Sequence, residues 1–310
     1  LKVLFGIAFL VLGGLGSRAQ FSYQWLEVHY DSAWTYKNLQ LIPIRFKAGK
    51  GIGSSTGYLS LGQAMQQKKV VVKELGGRTG PDKRYLKLVN RSKYTIVAQA
   101  GELLKGGKQD RAIAQTTLIA PGRKGEAVDV FCIEKMRWDN KAQPFYHAGS
   151  SERHLRRQID VRRAQPPVWQ EIDRQFENRK QTSETWSYLE LQHDSTRGNL
   201  DYISYFTQKF EQSGGGIAGF VFVSGNEVLS MELFENADLT TTLFRSMLNT
   251  YTNSMQPAPD PPVVEVSRLK RFCDDILTTR ENQQKLVKTQ GNAYRHDGKL
   301  IHLIVYGNGY

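Results

Sequence analysis

Two cysteines among 310 residues exclude a disulfide framework, since at most one bridge can form. Cys132 and Cys273 each sit in an apolar pattern, which predicts two buried thiols. An oxidising compartment allows a bond between them only if their Cα atoms come within about 7 Å. The six histidines contain no i,i+4 pair and no H-E-x-x-H, so no helical zinc site is expected. His302 lies in a strand with apolar residues on both faces and reads as a core histidine. No segment repeats, and none is of low complexity.

Long apolar runs are also missing. Leu1 to Gly16 is too short for a comfortable bilayer span. It has Lys2 at its start and is followed by Ser17-Arg18-Ala19, the pattern of a secretory signal cleaved after Ala19 to leave Gln20 first. An uncleaved anchor is the alternative. The absence of Cys at the junction argues against lipoprotein processing. The expectation is an exported protein, periplasmic or secreted, with no stable membrane insertion once residues 1–19 are removed. Loss of Lys2 and Arg18 lowers the net charge from +12 to +10, which still favours anionic partners. Arg153, Arg156, Arg157, Arg162 and Arg163 fall in one short segment and read as a solvated helix face. Export argues against nucleic acid as the partner.

The elements change from strand-like to helical and back. Leu39 to Phe46 reads as a strand. Gly49 to Gly57 reads as a loop whose G-x-G-x-x-x-G spacing misses the dinucleotide fingerprint by one residue. Ser60 with Gln63 has capping-box spacing and predicts a short helix through Gln67. Alternating runs at Val70 to Leu75, Tyr85 to Val89, Tyr94 to Gln99, Ile113 to Ile119 and Ala127 to Glu134 predict antiparallel strands. Asn90-Arg91-Ser92 between two of them is also a glycosylation triplet. Helical patterning follows from Ser150 to Phe210, with Tyr202, Tyr205, Phe206 and Phe210 on one face. Ile217 to Val223 and Glu227 to Phe234 form a hairpin around Ser224-Gly225-Asn226. Asp238 is placed as the cap of a helix striped by Leu239, Leu243, Phe244, Met247, Leu248 and Tyr251. Pro257 to Pro262 is a stiff connector, a further helix carries Val266, Leu269, Cys273 and Ile276, and a last hairpin turns at Asp297-Gly298.

The expected fold class is therefore α+β: an antiparallel β-rich N-terminal half, as a sandwich or open barrel, with helices and two further β-hairpins in the C-terminal half. The expected divisions are 1–19 as signal, 20–140 as a β-rich region and 141–310 as an α+β region packed on it, with 20–310 as one continuous domain.

Two segments concentrate polar chemistry, G-E-L-L-K-G-G-K-Q-D-R from Gly101 to Arg111 and C-I-E-K-M-R-W from Cys132 to Trp138. The first fails as a phosphate-binding P-loop, having an extra Gly before Lys108 and Gln109 where Ser or Thr would hold a metal. Its glycines still let backbone approach a ligand, and its cations favour an anion. The bland alternative is a glycine-rich turn with solvated charges. Cys132 shares a strand face with Val128 and Val130 and has no His nearby in sequence, so a core thiol is the default over a nucleophile. Glu102 and Glu134 are either a general acid/base pair or salt-bridge partners for Arg111 and Arg137. Trp138, Trp169 and Trp186 offer flat faces to a sugar or base, or pack beside helices.

On these residues the chain resembles the ARG and rhodanese-phosphatase-superfamily-associated protein domain family. The matching pieces are Tyr36-Lys37-Asn38-Leu39, Ile42-Pro43-Ile44, Tyr58 to Leu61, Gly101-Glu102, Gly106 to Arg111, Cys132-Ile133-Glu134 with Arg137-Trp138, Val168-Trp169, Glu232-Leu233-Phe234 and Lys299 to Leu303. G-x-K-Q-x-R and C-x-E-x-x-R-W carry most of the likeness. The family's name records gene association and implies no reaction.

The function expected from the residues is binding of a small anionic ligand, nucleotide- or sugar-phosphate-like. Lys108 and Arg111 would neutralise it and Gln109 would orient it. Arg137 would add a further contact, with Trp138 as a stacking wall. Glu102 and Glu134 would hold the cations or take a ligand hydroxyl. The alternatives are a hydrolase using Glu102 or Glu134 as base, and an envelope interaction module in which the motif is a buried polar network. No motif identifies a cofactor, and the oligomeric state stays open.

Overall fold

The structure is a computed structural model that describes residues 21–51, 53, 57–77, 80–122, 124–138, 143–192, 199–253, 260–308 and 310. The expected signal segment lies outside the described residues, as do parts of the glycine-rich loop and of the proline-rich connector.

In chain order the first strands are β1 (Leu26–Val28), β2 (Trp34–Tyr36), β3 (Leu39–Phe46) and β4 (Tyr58–Ser60), followed by helix α1 (Leu61–Gln66). Then come β5 (Val70–Gly77), β6 (Gly80–Asn90), β7 (Thr95–Ala98), β8 (Glu102–Gly107), β9 (Arg111–Ile113), β10 (Thr117–Ile119), β11 (Glu126–Cys132) and β12 (Gln143–Ser150). Helix α2 (Arg153–Arg157) continues into a π-helical turn, Gln158–Arg162, before α3 (Gln165–Arg179) and α4 (Leu200–Glu211). The last elements are β13 (Ile217–Ser224), β14 (Glu227–Phe234), α5 (Ala237–Thr252), α6 (Val266–Leu277), α7 (Arg280–Gln290), β15 (Gly291–His296) and β16 (Lys299–Tyr306). The fold class is α+β.

The largest sheet runs β1-β3-β13-β14-β16-β15, with β2 also on β3. It is wrapped on both faces. On one face Phe220 packs on Phe210 of α4 and Phe244 of α5, Phe222 stacks on Tyr251 of α5 and Tyr306 reaches Asp160 of the π-helical turn, while Val221, Val223, Leu303 and Val305 share the other face's core with α6. Burial on both sides explains why β13 and β16 read as near-continuous apolar runs instead of alternating ones. Each fully buried Leu or Phe in these layers contributes roughly 1.5–3 kcal/mol of transfer free energy. The other sheets run β12-β8-β9-β11-β6-β5 and β10-β7-β4 and enclose a separate core of Leu86, Leu88, Ile96, Ile113 and Val128, into which α1 sets Leu61 and Ala64. The predicted capping box closes α1: Gln63 N donates to Ser60 Oγ at 3.2 Å, and Ser60 N donates to Gln63 Oε1 at 3.1 Å.

Four expectations need correction. The run Ile113 to Ile119 is not one strand but parts of β9 and β10, which belong to different sheets. Thr116 causes the break, because its Oγ1 is held 2.8 Å from His302 Nδ1 and accepts from Ala100 N. The cap of α5 is Asn236, whose side chain accepts from Leu239 N at 2.9 Å; Asp238 sits inside the first turn. Val266 is exposed, so it does not belong to the buried stripe of α6. Finally, the arginine-rich segment is not a solvated face throughout, since Arg156 is 1% exposed and ion-paired to Asp160 and Glu232.

Both thiols are buried and free. Asn90 is spent structurally, its Nδ2 donating to the carbonyls of Tyr94 and Ile119. Among the described residues no helix is long and apolar enough to cross a membrane.

Candidate functional site

The first motif segment is two neighbouring antiparallel strands, β8 and β9, with Leu104 opposite Arg111, joined by a turn at Lys108 to Asp110. Across the sheet Arg111 stands opposite Cys132 of β11. The second segment is thereby brought beside the first. Gly106 and Gly107 have φ of 116° and 57°, and a Cβ on them would collide with Pro144 O and the Phe145 ring of β12. These glycines are needed for strand approach as well as for turning.

A buried ionic clamp holds the turn. Arg137 Nε donates to both oxygens of Glu134 at 2.9 and 3.0 Å, Nη2 donates to Asp110 Oδ1 at 3.1 Å, and Nη1 donates to Gly107 O at 3.1 Å. Asp110 also accepts from Gly106 N and Ser187 Oγ, and Glu134 from Asp110 N. Burial pushes the Asp110 carboxyl above the usual carboxylate range, against the pull of these hydrogen bonds and of Arg137. Arg137 therefore serves the loop.

Arg111 behaves differently. It is fully enclosed, and Nη1 donates to Gln109 Oε1 at 3.1 Å. Its Nε and Nη2 have no hydrogen-bond partner among the described residues, and Nη2 lies 3.9 Å from Glu74 Oε2, close enough for attraction but not for a hydrogen bond. The Trp138 ring covers it, with the guanidinium 5.8 Å from the ring centroid and the ammonium groups of Lys83 and Lys108 at 4.5 and 5.3 Å. Gln109 completes the link by donating from Nε2 to Glu134 O. Burial pushes the Cys132 thiol up, with Arg111 and Lys83 pulling it the other way. That is a poor setting for a resting thiolate.

The structure does not bring Glu102 and Glu134 together. Glu102 accepts from Gln99 N at 2.7 Å and lies 3.0 Å from His147 Nε2 at the far end of β8. Glu134 is clamped at the level of Gly106, four residues along, or about 13 Å at the usual strand rise.

A cavity of about 560 Å³ opens beside the motif between the β6–β11 surface and the start of α3. Gln109 and Cys132 contribute to its wall. Four cationic side chains, Lys83, Arg84, Lys135 and Arg163, line it with one carboxylate, Asp129. Tyr85, Phe131 and Trp169 supply an aromatic side. Trp169 Nε1 is buried without a hydrogen-bond partner among the described residues. Gln165 fixes the α3 end by accepting from Cys132 N and donating to Cys132 O, both at 2.8 Å. Lys135 is paired with Asp173, which also accepts from Trp186 Nε1. Trp186 itself stacks on Phe176 at 4.9 Å and is packing. Such a cavity concentrates positive potential beside a flat apolar wall, conditions that attract an anion bearing a ring.

A second polar cluster is wholly internal. Glu232 Oε1 lies 2.9 Å from His302 Nε2 and accepts from Gln99 Nε2, while Asp160 accepts from Arg156, Tyr294 and Tyr306. Burial pulls the Glu232 carboxyl up, but Arg156 and the His302 hydrogen bond pull it further down, leaving it below its usual value. A side chain at Gly101 would collide with Arg156 Cδ, which ties the first motif glycine to this cluster. Among the described residues no group of three or more metal-ligating side chains stands together.

Of the residues that sequence reasoning singled out, Gln109 lines the cavity and Lys108, Arg111, Arg137 and Trp138 are not among its described lining residues, while Lys83, Asp129, Arg163 and Gln165 line it without a motif in their spacing. Glu232 entered the sequence reading only within the matching piece Glu232-Leu233-Phe234, without a role. No curated protein and no solved structure matches the chain. The sequence model of the ARG and Rhodanese-Phosphatase-superfamily-associated Protein domain matches residues 27–306, a span that includes both motif strands, the clamp and the internal cluster, and the chain belongs to that family.

Proposed function

We propose that this protein is exported and binds a small anionic ligand, nucleotide- or sugar-phosphate-like, in the cavity beside the motif. The observation that carries this is the lining of the cavity by Lys83, Arg84, Lys135 and Arg163 beside Asp129 and an aromatic wall, with Lys135 already paired to Asp173. Arg111 adds to it from behind Gln109, where low polarisability lets a buried guanidinium act at longer range than an exposed one. Gln109 orients the anion, Lys83 and Arg163 neutralise it, and Trp169 stacks on its ring. Trp138 screens Arg111 from water. Export rests on the composition of residues 1–19.

The test is thermal stability against nucleotides, ADP-ribose and sugar phosphates, with Lys83→Glu and Arg111→Ala alongside. A ligand that binds the native state raises the midpoint by mass action. A rise seen in the parent and lost in Lys83→Glu supports the proposal, and silence across the whole panel sinks it. A second possibility, that the motif only fixes the fold, is favoured by the Arg137 clamp. It predicts a lower melting temperature in Arg111→Ala with no ligand response anywhere. The hydrolytic alternative would use Glu102 or Glu134, and neither is among the described residues lining the cavity.

A further inference from the structure

A separate recess of about 570 Å³ lies between α7 and the β15–β16 hairpin. Its floor is apolar, made by Val161, Val287, Ala293, Leu300 and Leu303. Its rim is cationic, with Arg163, Arg280, Lys288, Arg295 and Lys299. Among the described residues lining it there is no carboxylate. Arg163 donates to the carbonyls of Asp160 and Gly291, and Arg295 to that of Gly298. Such bonds fix the side chains while leaving their charge uncompensated. Lys299 is paired with Glu235.

We infer that this recess binds a small amphipathic anion, an apolar body bearing a phosphate or carboxylate. The cationic rim requires negative charge, and the floor requires apolar surface. Neither an inorganic ion nor a hydrated polyanion meets both demands, because each would leave apolar floor against water or charge. The volume is that of an organic ligand. The head group sits among Arg280, Lys288 and Arg295, and the apolar body lies on Val287 and Ala293. The inference stands on residues of α7 and the last hairpin and does not depend on the ligand proposed for the other cavity, although Arg163 lines both.

The experiment is calorimetric titration of the protein with octyl phosphate below its micelle concentration, beside inorganic phosphate, octanol and phosphatidylglycerol vesicles. Octyl phosphate is expected to bind saturably, with inorganic phosphate and octanol each at least about tenfold weaker. The double variant Lys288→Glu with Arg295→Glu is expected to weaken it by about tenfold or more, while Lys83→Glu leaves it unchanged. Arg280→Glu is a second variant that keeps the helix start, where a carboxylate suits the dipole. Absence of saturable binding up to about 1 mM, or equal affinity in both charge-reversed variants, overturns the inference. Vesicle binding without octyl phosphate binding would assign the face to a membrane surface and also overturn it.

Discussion

Arg137 and Glu134, three residues apart, form a two-pronged ion pair, with Nε 2.9 Å from Oε1 and Nη2 2.7 Å from Oε2. The same guanidinium reaches Asp110 and the Gly106–Gly107 carbonyls, so a single side chain ties the two motif segments together. Glu134 and Asp110 are nearly fully buried, and removing Arg137 would leave both without their cation. Arg137→Ala is expected to cost about 3 kcal/mol of unfolding free energy by urea titration. Arg137→Lys keeps the charge but not the fork and should recover only part of that loss.

Glu232 is enclosed with Arg156, and Glu232→Gln is expected to cost about 3–5 kcal/mol by the same measurement. Its folded carboxyl lies below the usual value, so its contribution is fully present above the unfolded carboxylate range. That contribution is lost as pH falls through the depressed folded value. A Glu232→Gln profile that retained the parent's acid loss in full would contradict the assignment.

Asp110 has the opposite sign. Burial raises its folded value, so the native state holds the proton more tightly than the unfolded chain does. Stability from this group is present below the unfolded carboxylate value and is lost as pH rises through the raised folded one. Asp110→Asn should flatten the stability profile just above the ordinary carboxylate range, and an unchanged slope there would refute this.

Gly106 combines φ of 116° with close approach to the Pro144 carbonyl. Gly106→Ala should destabilise by about 2–4 kcal/mol, through strain and a collision with backbone that cannot step aside. Gly149, with φ of 94° but no neighbouring atom within 4 Å, provides the control. Gly149→Ala should cost only the strain part, about 1 kcal/mol.

Burial holds the Cys273 thiol up at about 12 and raises that of Cys132 as well. Neither should react with an aromatic disulfide reagent in the native protein near neutral pH, and both should react on unfolding. Fast labelling of Cys132 in the folded state would instead mark a thiolate open to the cavity.

Elements whose own residues repeat with a clear period were legible in the sequence. Leu39 to Phe46 and the last two hairpins are examples, because apolar runs between turn residues admit few other structures. Helix α7 was not legible, since R-E-N-Q-Q-K-L-V-K-T-Q buries only Gln283 and Gln290 and depends on a Thr279 cap and its neighbours. Strand β8 was hidden by its glycines, which read as turn although β12 and β9 pair on either side. At the site, Gln109 and Arg111 were visible as a motif. The cavity was not, because Lys83, Asp129 and Arg163 come from distant parts of the chain and meet only through sheet register and the α3 start. Arg156 resembled its arginine neighbours, and only the carboxylates of Asp160 and Glu232 reveal that it faces inward.

The large sheet carries a kinetic consequence. Strand β3 finds its central partner in β13, so that Leu41 lies beside Phe222 after more than half the chain has intervened. Closing so long a loop is entropically costly, and pairings of this kind slow folding. Until β13 arrives, L-Q-L-I-P-I-R-F exposes an apolar, unpaired edge, with only Pro43 and Arg45 to discourage association with another copy. Folding of this chain is thus a race between its own distant strand and a neighbour's, and truncation anywhere before residue 217 removes the rightful winner.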